Sequence, residues 1–236
     1  MDAQAQKKAA AVAALEFIGE GMKVGLGTGS TADLFIDALG EKVKQGLNVL
    51  CVPTSIASEK RARALGIALS TLDETPQLDV TVDGADEILD PSLVLIKGGG
   101  GALTREKIVA ASSEKVVVIA DQSKLKTEAT FGAFPLPVEI LPFGAAATIL
   151  KMRRAIGKLG MGGDLVVRQH GGAPFVTDNG GLIVDCHLGH ISEPEKLAGK
   201  LGRIPGVVEQ GLFVGIASVA LVAGAGDVMV LERPAD

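Results

Sequence analysis

Tryptophan and tyrosine are absent from this 236-residue chain, and phenylalanine occurs only seven times. Without an array of aromatic faces there is no platform on which single-stranded nucleic acid could stack. An excess of positive charge is missing too. The formal net charge is −5 and the isoelectric point near 5.3, so neither a phosphodiester backbone nor an anionic membrane is attracted in general. Any anion bound should be small and held in a local pocket. Cysteine is scarce: Cys51 and Cys186 are too few for a disulfide framework and neither belongs to a CxxC pair, which points to a reducing, cytoplasmic setting. Long apolar runs are also wanting. The most apolar stretch, residues 212–226, falls short of the roughly 20 residues of a membrane span, and its glycines favour buried strand and turn. The N-terminal MDAQAQKKAAAVAALEFIGEG has charge on both sides of a short Ala-rich run and reads as an amphipathic helix over about 7–19, not as a cleaved signal.

What the chain does have is alternation. A strand-like MKVGLGTG leads into an apolar-periodic helix over about 30–39, and the pattern repeats through LNVLCVP, SIASEKRARALG, IALSTLD, LDVTVDGADE, LVLIKGGGGALTREKIVAAS and KVVVIADQSK. Short β-rich runs alternating with helices imply parallel strands joined by crossovers. At residues 131–143, FGAFPLPVEILPF places three prolines in thirteen residues and excludes an uninterrupted helix, so a hinge is expected just before it. Beyond lie a predicted helix at 145–159, a strand near 164–169, a hairpin turn at Thr177 to Gly181, the strand LIVDC and a helix at 194–200, a set of α+β character.

Two glycine turns could hold an anion. In Gly25-Leu-Gly-Thr-Gly-Ser-Thr31, between strand and helix, free N–H groups and the helix dipole favour phosphate or carboxylate, and Thr28, Gly29, Ser30 and Thr31 add donors; a purely structural tight turn is the alternative. A dinucleotide fingerprint fails because residue 30 is serine, not glycine, and the lysine of a P-loop is missing. The second turn, Lys97 with Gly98, Gly99, Gly100 and Gly101, joins an apolar strand to a helix, and a chain free of β-carbons can approach a ligand closely or simply bend.

Asp83 and Asp86 flank Gly84 and Ala85 at the carboxyl end of LDVTV, the edge at which open parallel sheets bind ligands. They serve turn chemistry, or as neighbouring carboxylates they exchange protons with a sugar hydroxyl. Glu106 stands about one turn into the helix after the glycine run, as an N-terminal helix glutamate or as a base. Lys97 and Lys124 each follow apolar strands and should gather at the same sheet edge. His187 and His190, beside Cys186, lie on a strand-to-loop segment that does not converge their rings, and no further ligand is evident, so no metal site is expected.

Taken together and in order, GLGTGSTA, VDGADE, IKGGGGALTREK, ADQSK, FPLPVE and TDNGG closely resemble the type A ribose-5-phosphate isomerase family over nearly the whole chain. The resemblance implies a Rossmann-like, mostly parallel catalytic domain (1–130 plus about 206–236) and a smaller α+β, ferredoxin-like lid domain (about 131–205). It implies a homo-oligomer, dimer or tetramer, with no metal or organic cofactor. Carried over by motif, Glu106 is the proton-transfer base, with Asp83, Asp86 and Lys97 around the reacting end of the sugar. Residues Thr28 to Thr31, Asp83 to Asp86, Lys97 to Gly100 and Lys124 bind substrate, and Lys7 is a further phosphate ligand. The expected reaction interconverts ribose 5-phosphate and ribulose 5-phosphate through an enediolate. Its rivals are another phosphosugar isomerase or deaminase, and a non-catalytic phosphosugar sensor.

Overall fold

The structure is a computed structural model and describes residues 1–234. Its largest sheet has seven strands in the order Val228–Glu232, Val219–Ala223, Ser113–Asp121, Leu78–Gly84, Lys23–Leu26, Leu50–Pro53 and Ala68–Leu69. All neighbouring pairs are parallel except the hairpin that adds Val228–Glu232 at one edge. From Lys23–Leu26 the chain first builds outward to Ala68–Leu69 and then crosses to Leu78–Gly84 on the other side. The crevice at that switch point, outside the carboxyl ends of the strands, is where doubly wound sheets bind ligands.

The helix Ser30–Lys44 runs past the predicted end near residue 39 because its apolar stripe continues. Ala32, Phe35, Ile36 and Leu39 are buried at 3- and 4-residue spacing against Val24, Leu26, Val80 and Val82 of the sheet. Asp33 in its first turn and Lys42 and Lys44 in its last suit the helix dipole. The N-terminal helix Ala3–Ala13 starts earlier than the sequence suggested. The Asp2 side chain caps it by accepting from the Ala5 N–H at 2.8 Å.

A second sheet of four antiparallel strands has the order Asp164–Val167, Leu182–His187, Leu136–Ile140, Val207–Gln210. With the helices Ala145–Gly157 and Pro194–Leu201 the chain runs strand, helix, strand, strand, helix, strand, which is the ferredoxin-like arrangement. Its own core includes Leu136, Val138, Ile140, Met152, Ile156 and Leu197.

Two expectations need correction. LVLI does not continue the parallel sheet: Val94–Ile96 pairs antiparallel with both Glu87–Leu89 and Leu212–Phe213 in a separate four-stranded sheet. Only residues 90–93 connect Glu87–Leu89 to Val94–Ile96, and a parallel partner needs a crossover of a dozen or so residues. The Thr177 to Gly181 turn closes, with the Thr177 N–H donating to Gly181 O at 2.9 Å, yet only the single bridge Val176 to Leu182 flanks it. The small hairpin Gln169–His170 with Ala173–Pro174 takes up the preceding chain. The full ladder partners of Leu182–His187 are Asp164–Val167 and Leu136–Ile140.

Candidate active site

The first glycine turn leaves the carboxyl end of Lys23–Leu26 beside that of Leu78–Gly84. A β-carbon at Gly27 would lie 2.1 Å from Asp83 Oδ1, so glycine is required there by close packing. The closeness is used: Asp83 Oδ1 accepts the N–H groups of Thr28 at 3.1 Å and Gly84 at 2.7 Å, which ties the two strand ends together. On its other side the turn is braced by hydroxyls from the next strand-to-helix junction. Thr28 Oγ1 lies 2.7 Å from Thr54 Oγ1 and donates to Ser55 Oγ at 2.8 Å, while Ser58 Oγ donates to Gly27 O at 2.7 Å. Sequence reasoning missed Thr54, Ser55 and Ser58, although PTSIAS shows hydroxyl residues at the same kind of sheet edge. Lys7, from the N-terminal helix, reaches the turn and donates to Ser30 Oγ at 3.0 Å.

The three groups singled out for chemistry are buried together, with Asp83 3% exposed and Lys97 and Glu106 each 4% exposed. They arrive on three elements: the strand Leu78–Gly84, the end of Val94–Ile96, and the helix Leu103–Ala111. Lys97 Nζ donates to Gly84 O at 2.5 Å and to Glu106 Oε1 at 3.2 Å. Asp83 Oδ2 is 2.9 Å from the same ammonium but out of line for a hydrogen bond. Two of the three ammonium hydrogens are thereby engaged. Asp83 Oδ2 has only its ion pair with Lys97, while Glu106 Oε2 has no hydrogen-bond partner among the described residues, and a buried carboxylate oxygen without a partner is costly unless a ligand uses it.

Electrostatics separates the roles. Burial disfavours the charge of Lys97, but Asp83, Glu106 and Asp86 outweigh it and the pKa lies above the usual lysine value, so the ammonium stays charged. For Glu106 burial is the largest effect, Lys97 opposes it, and Asp83 and Asp86 add repulsion. The pKa is raised to about 8. Glu106 is thus a carboxylate with unusual affinity for a proton, which is what a base that must take a proton from carbon needs.

The second glycine turn is held from two directions. The Gly99 N–H donates to Asp86 Oδ2 at 2.7 Å, and the carbonyls of Gly98 and Gly99 each accept from Arg168 Nη1 at 3.0 Å. The helix carrying Glu106 is tied to the ferredoxin-like sheet by Glu139, itself 1% exposed, which accepts the hydroxyls of Thr104 and Thr177. Neither Arg168 nor Glu139 was found from the sequence, because neither sits in a glycine or strand-end motif.

Lys7, Thr28 to Thr31, Gly84 to Asp86, Lys97 to Gly100, Glu106 and Lys124 line one cavity of about 290 Å³. Asp83 is not among the lining residues; it stands behind them, hydrogen-bonded to the Thr28 and Gly84 N–H groups and ion-paired with Lys97. The two strand-end lysines do converge, but from different sheets: Lys97 follows Val94–Ile96, whereas Lys124 belongs to the short helix Gln122–Lys124 after Ser113–Asp121. The cavity is polar, lined by Lys7, Lys97 and Lys124 together with Asp86 and Glu106, and of a size for a small phosphorylated molecule.

The family model described as ribose 5-phosphate isomerase A (phosphoriboisomerase A) matches residues 50–227. The chain is 56% identical over 223 residues to the ribose-5-phosphate isomerase A of Parvibaculum lavamentivorans, covering 94% of this chain and 95% of that one. It is 55% identical over 234 residues to that of Nitrobacter hamburgensis, covering 99% and 100%. Among solved structures, the ribose 5-phosphate isomerase from Plasmodium falciparum superposes with a TM-score of 0.92 at 38% identity, over 98% of this chain and 100% of that one. A D-ribose-5-phosphate isomerase in complex with phospho-erythronic acid gives 0.91 at 38% identity, over 99% and 100%.

Proposed function

Since this chain belongs to the ribose 5-phosphate isomerase A family and carries out the isomerisation of ribose 5-phosphate and ribulose 5-phosphate in the pentose phosphate pathway, we propose the following division of labour in its cavity. Glu106 is the base. In the open-chain aldose it removes the proton from C2, leaving an enediolate across C1 and C2, and returns that proton to C1 to give the ketose; one hydroxyl proton passes from O2 to O1. Asp83, whose Oδ2 has no in-line donor, assists that hydroxyl transfer and the preceding ring opening.

The Lys97 ammonium and the Gly100 N–H, which has no acceptor among the described residues, serve the developing oxyanion. Lys97 contacts both Asp83 and Glu106, and its single charge offsets only part of their repulsion. The phosphate, remote from the bond being changed, contributes positioning through Gly29, Ser30 and Thr31 with Lys7 and Lys124 around it. No step in this scheme needs a metal or organic cofactor. We further take the ferredoxin-like part, residues of about 131–210 because its fourth strand is Val207–Gln210, to act as the smaller lid and oligomerisation unit of a cytoplasmic homo-oligomer.

The observation that carries this reading is the burial of Glu106, with one oxygen on Lys97 and the other unpaired, at a cavity ringed by amide and ammonium donors. A coupled assay for ribulose 5-phosphate formation, with and without chelator, tests it. The expected outcome is chelator-insensitive turnover that Glu106→Gln lowers by roughly 10²–10⁴-fold. Undiminished turnover in Glu106→Gln would remove the base from the scheme.

A further inference from the structure

We propose that Arg168 is a positioning residue for the isomerisation: it turns the Gly100 N–H toward the sugar oxygens and holds it there, with Asp185 fixing the guanidinium. The inference rests on the reading of the site given above and adds to it a group from outside the glycine motifs.

Arg168 leaves the strand Asp164–Val167, and its Nε and Nη2 donate to Asp185 Oδ2 at 2.9 Å and Oδ1 at 2.6 Å. That two-pronged bond locks the planar fork and leaves Nη1 directed at Gly98 O and Gly99 O, each at 3.0 Å. Both side chains are more than four-fifths buried. A trans peptide is planar and carries its carbonyl and its N–H on opposite edges. Drawing the Gly98 carbonyl to Arg168 therefore points the Gly99 N–H the other way, and there it donates to Asp86 Oδ2 at 2.7 Å. By the same geometry, drawing the Gly99 carbonyl to Arg168 points the Gly100 N–H away from Arg168. Gly100 lines the cavity, and its N–H has no acceptor among the described residues.

Of the two amide donors that Arg168 orients, one is thus spent on Asp86 and the other is left for substrate. The guanidinium pulls electron density along both peptides, strengthening their N–H groups as donors. Phe175 completes the support. Its ring lies 5.9 Å from the guanidinium and fills the space beside Gly101 where a β-carbon would stand, packing against the turn.

The test compares Arg168→Lys, Arg168→Met and Asp185→Asn with the parent in kcat, KM and inhibition by phospho-erythronic acid, whose carboxylate presents anionic oxygen to the donors that meet the enediolate. Lysine keeps the charge but cannot hold Asp185 in two prongs and two carbonyls at once. Arg168→Lys is expected to lower kcat by roughly ten- to a hundredfold, less than the roughly 10²–10³-fold lost with a whole oxyanion donor. KM should stay within about threefold, and inhibition should weaken in step with kcat. Asp185→Asn should show the same pattern, more weakly. A purely structural bond would instead lower the melting temperature and leave kcat per folded site and inhibition unchanged, which overturns the proposal, as does a fall in kcat without weaker inhibition. If Arg168→Met does not fold, Arg168→Lys and Asp185→Asn carry the test. Loss of activity in Glu106→Gln with parental kcat in the Arg168 variants would reject this inference alone, while an active Glu106→Gln would reject the reading beneath it.

Discussion

The two glycine turns look alike in the sequence and are built on different physics. In Gly25 to Thr31 the glycines at 25 and 27 are demanded by contact, because β-carbons there would strike Thr81 and Asp83 of the neighbouring strand at 1.9 and 2.1 Å. Asp83 and a set of hydroxyls from adjoining parts of the same sheet hold that turn rigid. In the second turn Gly98 and Gly101 adopt φ of 103° and 79°, and the restraints come from Asp86 on one side and from Arg168 of the other sheet on the other. The first turn is an anchor whose shape is set locally; the second is a row of donors whose aim depends on contacts between two parts of the molecule. Anchoring should therefore appear in KM and aiming in kcat.

The harshest way to break that comparison is at Lys97, which links the turns through Asp83 and Glu106. Lys97→Met leaves two buried carboxylates without their cation and should cost about 3–5 kcal/mol of stability, measured by urea unfolding, together with most of the activity. A loss below about 1 kcal/mol would show that the lysine does not neutralise the pair.

The pH response comes next. Because Glu106 must be ionised to act and its pKa is raised to about 8, kcat/KM should climb as pH rises toward 8 and fall about tenfold per unit well below it. Stability should run the other way. The folded protein binds this proton more tightly than the unfolded chain, whose glutamates titrate near about 4.3, so the stabilisation is complete below that value and is lost as pH rises to about 8. Glu106→Gln should lack both trends, and a parental profile that is flat from about pH 6 to 9 would contradict the raised value.

Smaller and sharper is the contrast between Gly27→Ala and Gly29→Ala. The first should displace Asp83 and damage kcat and stability together. The second meets open space but needs a left-handed φ of 109°, so it should cost only about 1 kcal/mol or somewhat more and act mainly on KM. The mildest expected effect is that of Lys7→Ala, which removes one exposed contact to Ser30. It should raise KM for ribose 5-phosphate by roughly tenfold or less, with kcat within about twofold. A larger fall in kcat than in phosphate affinity would move Lys7 from anchoring to chemistry.

Much of the site was legible because strand, glycine turn and helix are local patterns. Asp83, Lys97 and Glu106 each stand at a fixed distance from such a junction; the parallel sheet places Asp83 at its edge, and the separate sheet of Val94–Ile96 delivers Lys97 and the Glu106 helix to it. The separate sheet of Val94–Ile96 was not legible, since a short apolar run has the same appearance whether its partners are parallel or antiparallel. Arg168 and Asp185 looked like ordinary strand residues and Glu139 like part of the proline-rich segment; their partners, Gly98 and Gly99 for Arg168 and Thr104 for Glu139, lie 70, 69 and 35 residues away. In the Thr177 to Gly181 turn only Gly180 takes a positive φ, and the turn is held by Thr177 and Glu139.

The sequence by itself determined where the chain turns, which faces of its helices are apolar, and that carboxylates and lysines stand at strand ends, since these follow from spacing and from the backbone freedom of glycine. Only the tertiary structure decided that Lys97 would be buried between Asp83 and Glu106, and which way the glycine-run peptides face. Burial and aim depend on groups brought together from distant parts of the chain, and no local pattern encodes the dielectric or the hydrogen-bond partners that a residue meets once the sheets have packed.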